Sequence, residues 1–238
     1  MPGSDMPLAE LLPELAEGLE EYRKGSAIRA LEVEPGFDQY IFIERDRARS
    51  EELRAVKKSF PEKEILVETA DANDYLKRWC KTFNSQTSRA VLFLDPFGMS
   101  VEWEVIELIA KTKAIDLWIL FPIFAVNRML VRGRKPPESW KKRLTAVFGT
   151  DDWEPEFYTA HNIEDLLGQT YTEIEKVADY NRIGQFFVKR LKQIFVDVAE
   201  PLVLKNSRNS PLYLFCFAAG NEKGATTGLK IARDIIEN

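Results

Sequence analysis

Three acidic residues follow short apolar runs at nearly regular spacing, and their type and placement suit ligand binding. Glu44, Asp71 and Asp95 are separated by 27 and 24 residues, about the length of one strand-and-helix unit. In an open parallel sheet, ligands bind where the carboxyl ends of the strands meet. We therefore expect the three carboxylates to lie along one such edge, where each can accept hydrogen bonds from a polar ligand.

The first two carboxylates suit a nucleoside. A carboxylate after the second strand of such a fold typically accepts hydrogen bonds from ribose hydroxyls, and Glu44 is placed to do so, with Asp46 as a less well placed substitute. Asp71, followed by Ala72, is placed to accept from an adenine amino group. The alternative is structural: Glu44 caps the following helix, and Asp71 is an N-cap or turn residue. The sequence leaves both interpretations open.

The third carboxylate belongs to the motif Asp95-Pro96-Phe97-Gly98, which directly follows five apolar residues. Pro96 fixes a backbone torsion and Gly98 permits a sharp turn, so the carboxylate would emerge from a buried strand into a cleft. There it could accept hydrogen bonds from an amine and align its lone pair on a methyl donor, which is catalysis by positioning. The alternative is a plain strand-to-helix turn.

A basic stretch with an aromatic residue lies downstream of these motifs. Its cations could meet nucleic-acid phosphate and Trp140 could stack on a base, with Asn127 and Arg128 at its start. A solvated helix face is the alternative interpretation of the same charges. The stretch consists of Arg128, Arg132, Arg134, Lys135, Lys141, Lys142 and Arg143.

Other site chemistries find little support. His161 is the only histidine, with no cysteine or serine motif near it, so it is expected to be a surface or structural residue. Cys80 and Cys216 form no C-x-x-C pair, which argues against a zinc or iron–sulfur site and fits a reducing compartment. We predict no metal site.

The pattern of elements predicts an α/β fold of the Rossmann-like methyltransferase type. Short β-branched and aromatic runs alternate with helical patterns, which indicates parallel strands buried on both faces. The predicted strands are 40–43, 64–67, 90–94 and 115–121, and the helices that follow them are 48–58, 74–83, 101–111 and 139–148.

The second half of the chain has a different pattern. We expect an irregular connector over 151–163, a mostly helical segment over 164–200, and an antiparallel hairpin of strands 202–204 and 213–217 around a turn-rich loop. A helix over 226–236 follows. The whole chain, 1–238, is then one domain: parallel units in 1–150, a helical insertion in 151–200, and the hairpin with the terminal helix in 201–238.

Composition sets broad limits on function. The chain has 238 residues, 45% of them hydrophobic, and a net charge of −5. An acidic chain does not bind nucleic acid through its overall charge, although a local basic patch still can. No apolar run reaches the roughly 18 residues of a membrane span, and the start lacks the pattern of a signal peptide. We therefore expect a cytoplasmic protein with no membrane association.

An ordered string of motifs resembles the three-Cys-motif partner protein family over nearly the whole chain. The resemblance implies a class I methyltransferase fold that uses S-adenosylmethionine, with Glu44, Asp71 and Ala72 on the cofactor side. It also implies a partner, a protein that carries a three-cysteine motif. The matching stretches are 25–31, 40–44, 71–73, 95–99, 116–117, 121–122, 127–128, 148–150, 205–207 and 220–221.

Two departures from the family pattern affect the expected activity. The family opens with a strand and a glycine-rich D-x-F-A-G-x-G loop, and Met1-Pro2-Gly3-Ser4-Asp5 does not match it. The expectation is an N-terminally truncated or degenerate member. Phe97 stands where many amino-methyltransferases have a second proline, which leaves the methyl acceptor undefined, a nucleobase amine being one candidate. The rival function is a non-catalytic subunit that binds another protein. A nucleotide-binding enzyme of another class is weaker, since no phosphate-binding glycine loop is visible.

Overall fold

The computed structural model describes residues 26–95, 99–164 and 169–237. It shows a mixed α/β chain with parallel strands and a C-terminal antiparallel hairpin, as the sequence predicts. The elements in chain order are α1 (26–32), β1 (Tyr40–Glu44), α2 (Arg47–Lys58), β2 (Ile65–Thr69), α3 (Ala72–Thr82), β3 (Ala90–Leu94), α4 (Trp103–Lys111), β4 (Ile115–Phe121), α5 (Ile123–Met129), α6 (Glu138–Phe148), α7 (Trp153–Phe157), β5 (Tyr158–Glu164), β6 (Thr170–Lys176), α8 (Tyr180–Lys192), β7 (Asp197–Val198), β8 (Leu202–Lys205), β9 (Pro211–Ala219) and α9 (Glu222–Glu237).

The chain divides into two compact units, Met1–Arg78 and Trp79–Asn238. In the first, β1 and β2 pair in parallel, from Tyr40 opposite Ile65 to Glu44 opposite Thr69. Tyr40 and Ile65 bury their side chains with Leu31 of α1, and this small core is completed by the partly buried Phe42, Val56, Phe60 and Val67. The apolar strand positions and the apolar side of α2 thus form one core, as expected for a strand–helix–strand unit.

The second unit contains a five-stranded sheet in which β3, β4, β9 and β7 are neighbours in that order, with β8 also on β9. β3 and β4 pair in parallel, whereas β9 runs antiparallel to β4, β7 and β8. On one face, α9 packs Ala225 and Leu229 against Phe217 of β9. The hairpin that the turn-rich loop predicted is therefore present as β8 and β9.

Aromatic side chains fill the core between β4 and the helices of this unit. Phe121 stacks on Phe187 with ring centroids 3.9 Å apart, and Trp103 meets Phe187 edge-on at 6.1 Å. Phe148 and Phe157 extend the cluster, and both are fully buried. Such ring pairs add stability beyond the burial of apolar area. They hold α4, α6, α7 and α8 around the carboxyl end of β4.

Two sequence expectations are corrected by the structure. The segment predicted as connector and helix contains the antiparallel hairpin of β5 and β6, with Tyr158 opposite Lys176 and Glu164 opposite Thr170. The physical reason lies in β6, where Thr and Ile alternate with Tyr and Glu, and the Thr, Tyr and Ile residues are good strand formers. The strands are also not all buried on both faces: Val91 and Phe93 of β3 are 49% and 43% exposed.

Within the described ranges, no helix has the length and apolar character needed to cross a membrane.

Candidate functional site

Glu44 ends β1 at the carboxyl edge of the two-stranded sheet. Its Oε1 accepts a 2.8 Å hydrogen bond from the backbone N–H of Asp46, and its backbone carbonyl accepts one from Ala70, 3.1 Å away. The cap of α2 is Asp46, whose Oδ1 accepts from the N–H of Arg49 at 2.9 Å. The structural alternative for Glu44, a helix cap, is therefore wrong, because Asp46 takes that role and Glu44 orients the turn before it.

Asp71 lies one residue beyond Ala70, at the same edge, and directly precedes α3. Its Oδ1 accepts hydrogen bonds from the N–H groups of Asn73 at 2.9 Å and Asp74 at 3.3 Å. This is the N-cap geometry that the structural alternative predicted. Ala72 is the first residue of the helix. Capping occupies only one carboxylate oxygen, so it does not by itself prevent Asp71 from binding a ligand.

The two carboxylates together fit the polar edge of a nucleoside. Both side chains are half-buried, and in each the second oxygen accepts no hydrogen bond from the described residues. Their strands are parallel neighbours that end side by side. Ribose hydroxyls and an adenine amino group are donors that need such acceptors. The acceptors of this edge are therefore suited to an adenosine moiety.

Asp95 directly follows β3 in the second unit, and its Oδ1 atom is buried. Pro96, Phe97 and Gly98, the rest of the motif, lie outside the described residues. At the carboxyl ends of β3 and β4, where Leu94 pairs with Ile119, there is a small apolar pocket. It is lined by Met99, Val101, Ile106, Ile119, Phe121, Pro122, Val147 and Phe187. The pocket has room for about one water molecule, and Asp95 is not among its lining residues, so the pocket does not itself hold an acceptor.

Asn127 lies on α5, which begins two residues after β4 ends. Its backbone carbonyl and its side-chain Oδ1 both accept hydrogen bonds from Lys176 Nζ, at 3.0 and 2.7 Å. The neighbouring Arg128 is exposed, and its guanidinium lies 5.8 Å from the ring centroid of Phe124. Trp140 is half-buried on α6. Asn127 therefore serves as an anchor for the β5–β6 hairpin.

Part of the positive charge of the basic stretch is neutralised by a carboxylate of the same chain. Lys135 and Lys141 both contact the carboxylate of Glu154, the latter at 3.3 Å. The hydrogen bond from Lys135, followed by that from Lys141, lowers the pKa of Glu154 against the opposing effect of burial. Arg132, Arg134, Lys142 and Arg143 are exposed. The free positive charge of the stretch is thus smaller than its sequence suggests.

Lys176 is the residue that sequence reasoning missed. It is half-buried at the end of β6, and its pKa is lowered by burial and then by the nearby charge of Arg132. Opposite it, the Tyr158 hydroxyl donates to the carbonyl of Val131 at 3.1 Å, and burial, followed by the charge of Glu154, raises the pKa of Tyr158. The only sequence signal was the alternation of β6, which would have placed Lys176 at the end of a strand.

His161 is a surface residue, as predicted. Its side chain is 56% exposed on β5, with Nε2 3.5 Å from Glu175 Oε2. Among the described residues there is no group of three or more His, Cys, Asp or Glu side chains that could hold a metal ion.

The candidate residues fall into two groups. Glu44, Asp71 and Ala72 share one edge of the first unit, whereas Asp95, Asn127, Arg128 and Trp140 belong to the second. No protein-family model matches the chain, and no curated protein matches its sequence. The resemblance to the three-Cys-motif partner proteins therefore stays a hypothesis.

Proposed function

We propose that this chain is a methyltransferase-like protein of the three-Cys-motif partner type, which binds S-adenosylmethionine and methylates an amine. The observation that carries the proposal is the pair of half-buried carboxylates, Glu44 and Asp71, at the ends of two parallel strands. Acceptors at that place in a parallel sheet are what ribose and adenine require.

The sheet of the second unit supports a Rossmann-like methyltransferase fold. Its order has two parallel strands, β3 and β4, followed by the antiparallel β9. A parallel sheet that ends in an antiparallel hairpin is the arrangement that the sequence resemblance implies.

On the cofactor side, this chain's own residues bind and orient. Glu44 accepts from the ribose hydroxyls through the oxygen that Asp46 leaves open, and Asp71 accepts from the adenine amino group through the oxygen not used in capping α3. The cofactor, when bound, supplies an activated methyl group. The protein binds the cofactor by its nucleoside and forms no covalent bond to it, so the protein catalyses the transfer by positioning the two reactants.

On the acceptor side, Asp95 accepts a hydrogen bond from the amine and orients its lone pair. A nucleobase amine is one such acceptor, because its exocyclic N–H groups are donors that a carboxylate can accept from.

A second candidate function is a subunit that binds another protein without catalysis. The exposed side chains of Val91 and Phe93 on β3 favour it, because apolar residues on an exposed strand are features of protein interaction sites.

Transfer of a labelled methyl group distinguishes the two candidates. The wild-type chain and Asp95→Ala are incubated with methyl-labelled S-adenosylmethionine and single-stranded nucleic acid, after circular dichroism has shown that both are folded. An enzyme incorporates label and loses incorporation with Asp95→Ala while it still binds cofactor. Absence of label from the folded wild-type chain, together with absence of cofactor binding, would reject the enzyme and leave the binding subunit.

A further inference from the structure

The base of the β5–β6 hairpin joins three parts of the second unit through the hydrogen bonds of two side chains. Tyr158 and Lys176 are the cross-strand pair at that base. Lys176 Nζ donates to Asn127 on α5, and the Tyr158 hydroxyl donates to the carbonyl of Val131 in the following loop. Together they fix the backbone that leads into Arg132. Asn127, Val131, Arg132, Tyr158 and Lys176 are called the hairpin-base cluster below.

The acceptors around Lys176 are neutral. Nζ spends two of its three N–H donors on the carbonyl and amide oxygens of Asn127. No carboxylate of the described residues lies within 4.0 Å of Nζ. The third donor and the positive charge are therefore available to a ligand.

The acidic residues near Lys176 contact other side chains or lie away from Lys176. Glu154 is engaged by Lys135 and Lys141. Glu175 precedes Lys176 on β6, but successive strand residues point to opposite faces, and its carboxylate meets His161. Glu173 shares the face of Glu175 for the same reason. Glu164 does share the face of Lys176, but it pairs with Thr170 at the opposite end of the hairpin from the Tyr158–Lys176 pair. No carboxylate of the described hairpin residues therefore neutralises Lys176 at the hairpin base.

Arg132 adds a second positive charge to this place. It directly follows Val131, whose carbonyl Tyr158 holds, and its exposed side chain makes no hydrogen bond or ion pair with the described residues. An exposed arginine beside a half-buried lysine repels it, and a bound anion would relieve that repulsion. The lowered pKa of Lys176 reflects the repulsion after the larger effect of burial.

We propose that Lys176 and Arg132 of the hairpin-base cluster form a binding site for a phosphate group. The guanidinium offers paired N–H donors that match two phosphate oxygens, and the ammonium offers a point charge with one remaining donor. The phosphate comes from the backbone of a single-stranded nucleic acid or from a small phosphate ester. The site uses none of the residues assigned to the cofactor, and it binds without cofactor.

Fluorescence anisotropy of a short labelled single-stranded DNA, measured without cofactor, tests the site in the full chain. Arg132→Gln is the decisive variant, because Arg132 makes no contact that holds the fold. We expect a loss of affinity of about tenfold and a salt dependence reduced by about one unit of slope. Lys176→Met is expected to weaken binding in the same direction. The matched control, Lys205→Gln, removes an exposed charge on β8 and should bind as wild type.

Inorganic pyrophosphate, titrated by calorimetry, distinguishes the two sources of phosphate. DNA binding that depends on Arg132 supports a nucleic-acid backbone, whereas Arg132-dependent binding of pyrophosphate alone supports a small phosphate ester. Three results would overturn the site: no binding of either probe, wild-type affinity in Arg132→Gln, or an equal loss in Lys205→Gln. None of them bears on cofactor binding, which is measured separately.

Discussion

The backbone N–H of Gly220 donates a 2.8 Å hydrogen bond to Oδ1 of Asp116. The two residues are 104 positions apart in the chain, and both belong to stretches that carry the family resemblance. The bond joins the start of β4 to the residue that follows β9. A side chain at position 220 has no room, because a Cβ there would lie 2.1 Å from the carbonyl oxygen of Ile115. These two motif residues thus stabilise the sheet by joining β4 to the end of β9.

Gly220→Ala is expected to destabilise the protein by about 2 kcal/mol or more, because the backbone of β4 must move to admit the methyl group. Urea denaturation followed by circular dichroism measures the change. The matched control is Gly224→Ala in the first turn of α9, where a Cβ would meet nothing within 4 Å. That substitution should be neutral or stabilise by about 0.5 kcal/mol, since alanine favours a helix. Equal effects of the two substitutions would contradict the close approach.

Glu154 makes stability depend on acid pH. Its pKa is lowered in the folded state, so its contribution is fully present above the unfolded value of 4.5 and is lost as pH falls through the folded pKa. Because Lys135 is 48% exposed, we expect Glu154→Gln to cost only about 0.5–1 kcal/mol at neutral pH. Urea midpoints near pH 7 and near pH 3 test this. The difference in urea midpoint between Glu154→Gln and the wild type should be smaller at the lower pH. The control Glu52→Gln changes an exposed residue of α2 and should have the wild-type midpoint at both pH values.

Neither cysteine should react quickly in the native protein. Burial raises the pKa of Cys80 to about 11 and also raises the pKa of the fully buried Cys216. Near pH 8 the thiolate fraction of Cys80 is then about a hundredfold or more below that of an ordinary thiol. Labelling with a thiol-reactive chromophore should be slow for Cys80 and absent for Cys216 until denaturant is added. Rapid labelling of two thiols in the native chain would show that α3 and β9 are less well packed than described.

Asp71 combines a structural and a proposed binding role, and two substitutions separate them. Asp71→Ala removes the cap of α3 and should cost about 1 kcal/mol. Asp71→Ser keeps an oxygen that can cap the helix but removes the second carboxylate oxygen. Asp71→Ser should therefore melt near the wild-type temperature while it loses affinity for an adenosine ligand. Wild-type affinity in Asp71→Ser would limit the residue to capping.

Apart from α5 (Ile123–Met129), which was not predicted, local patterns predicted the strand and helix order from Tyr40 to Phe148, because each of these elements has its own apolar periodicity and its own turn residues. They failed over 158–176, where Thr and Ile alternate with Tyr and Glu along β6 and where only Tyr158 of the two strands is buried. The turn-rich loop after β8 was correctly interpreted, since its Asn and Pro residues allow little else.

The candidate site was predictable only where adjacent strands of the sheet belong to consecutive strand-and-helix units of the sequence. Glu44 and Asp71 end adjacent parallel strands, so the repeat length brought them together. Lys176 meets Asn127 across 49 residues, and no local spacing encodes that contact. The capping role of Asp46 instead of Glu44 depends on where α2 begins, which differs by one residue from the sequence prediction.

Saturation-transfer NMR with S-adenosylhomocysteine tests the proposal that Glu44 and Asp71 hold an adenosine moiety, because the method detects weak as well as strong binding. We expect transfer to the adenine and ribose protons in the wild-type chain, and its loss in folded Glu44→Gln and Asp71→Ser. Lys205→Gln serves as the unaffected control. Absence of transfer in the folded wild-type chain, or undiminished transfer in both variants, would rule out adenosine binding by these two residues.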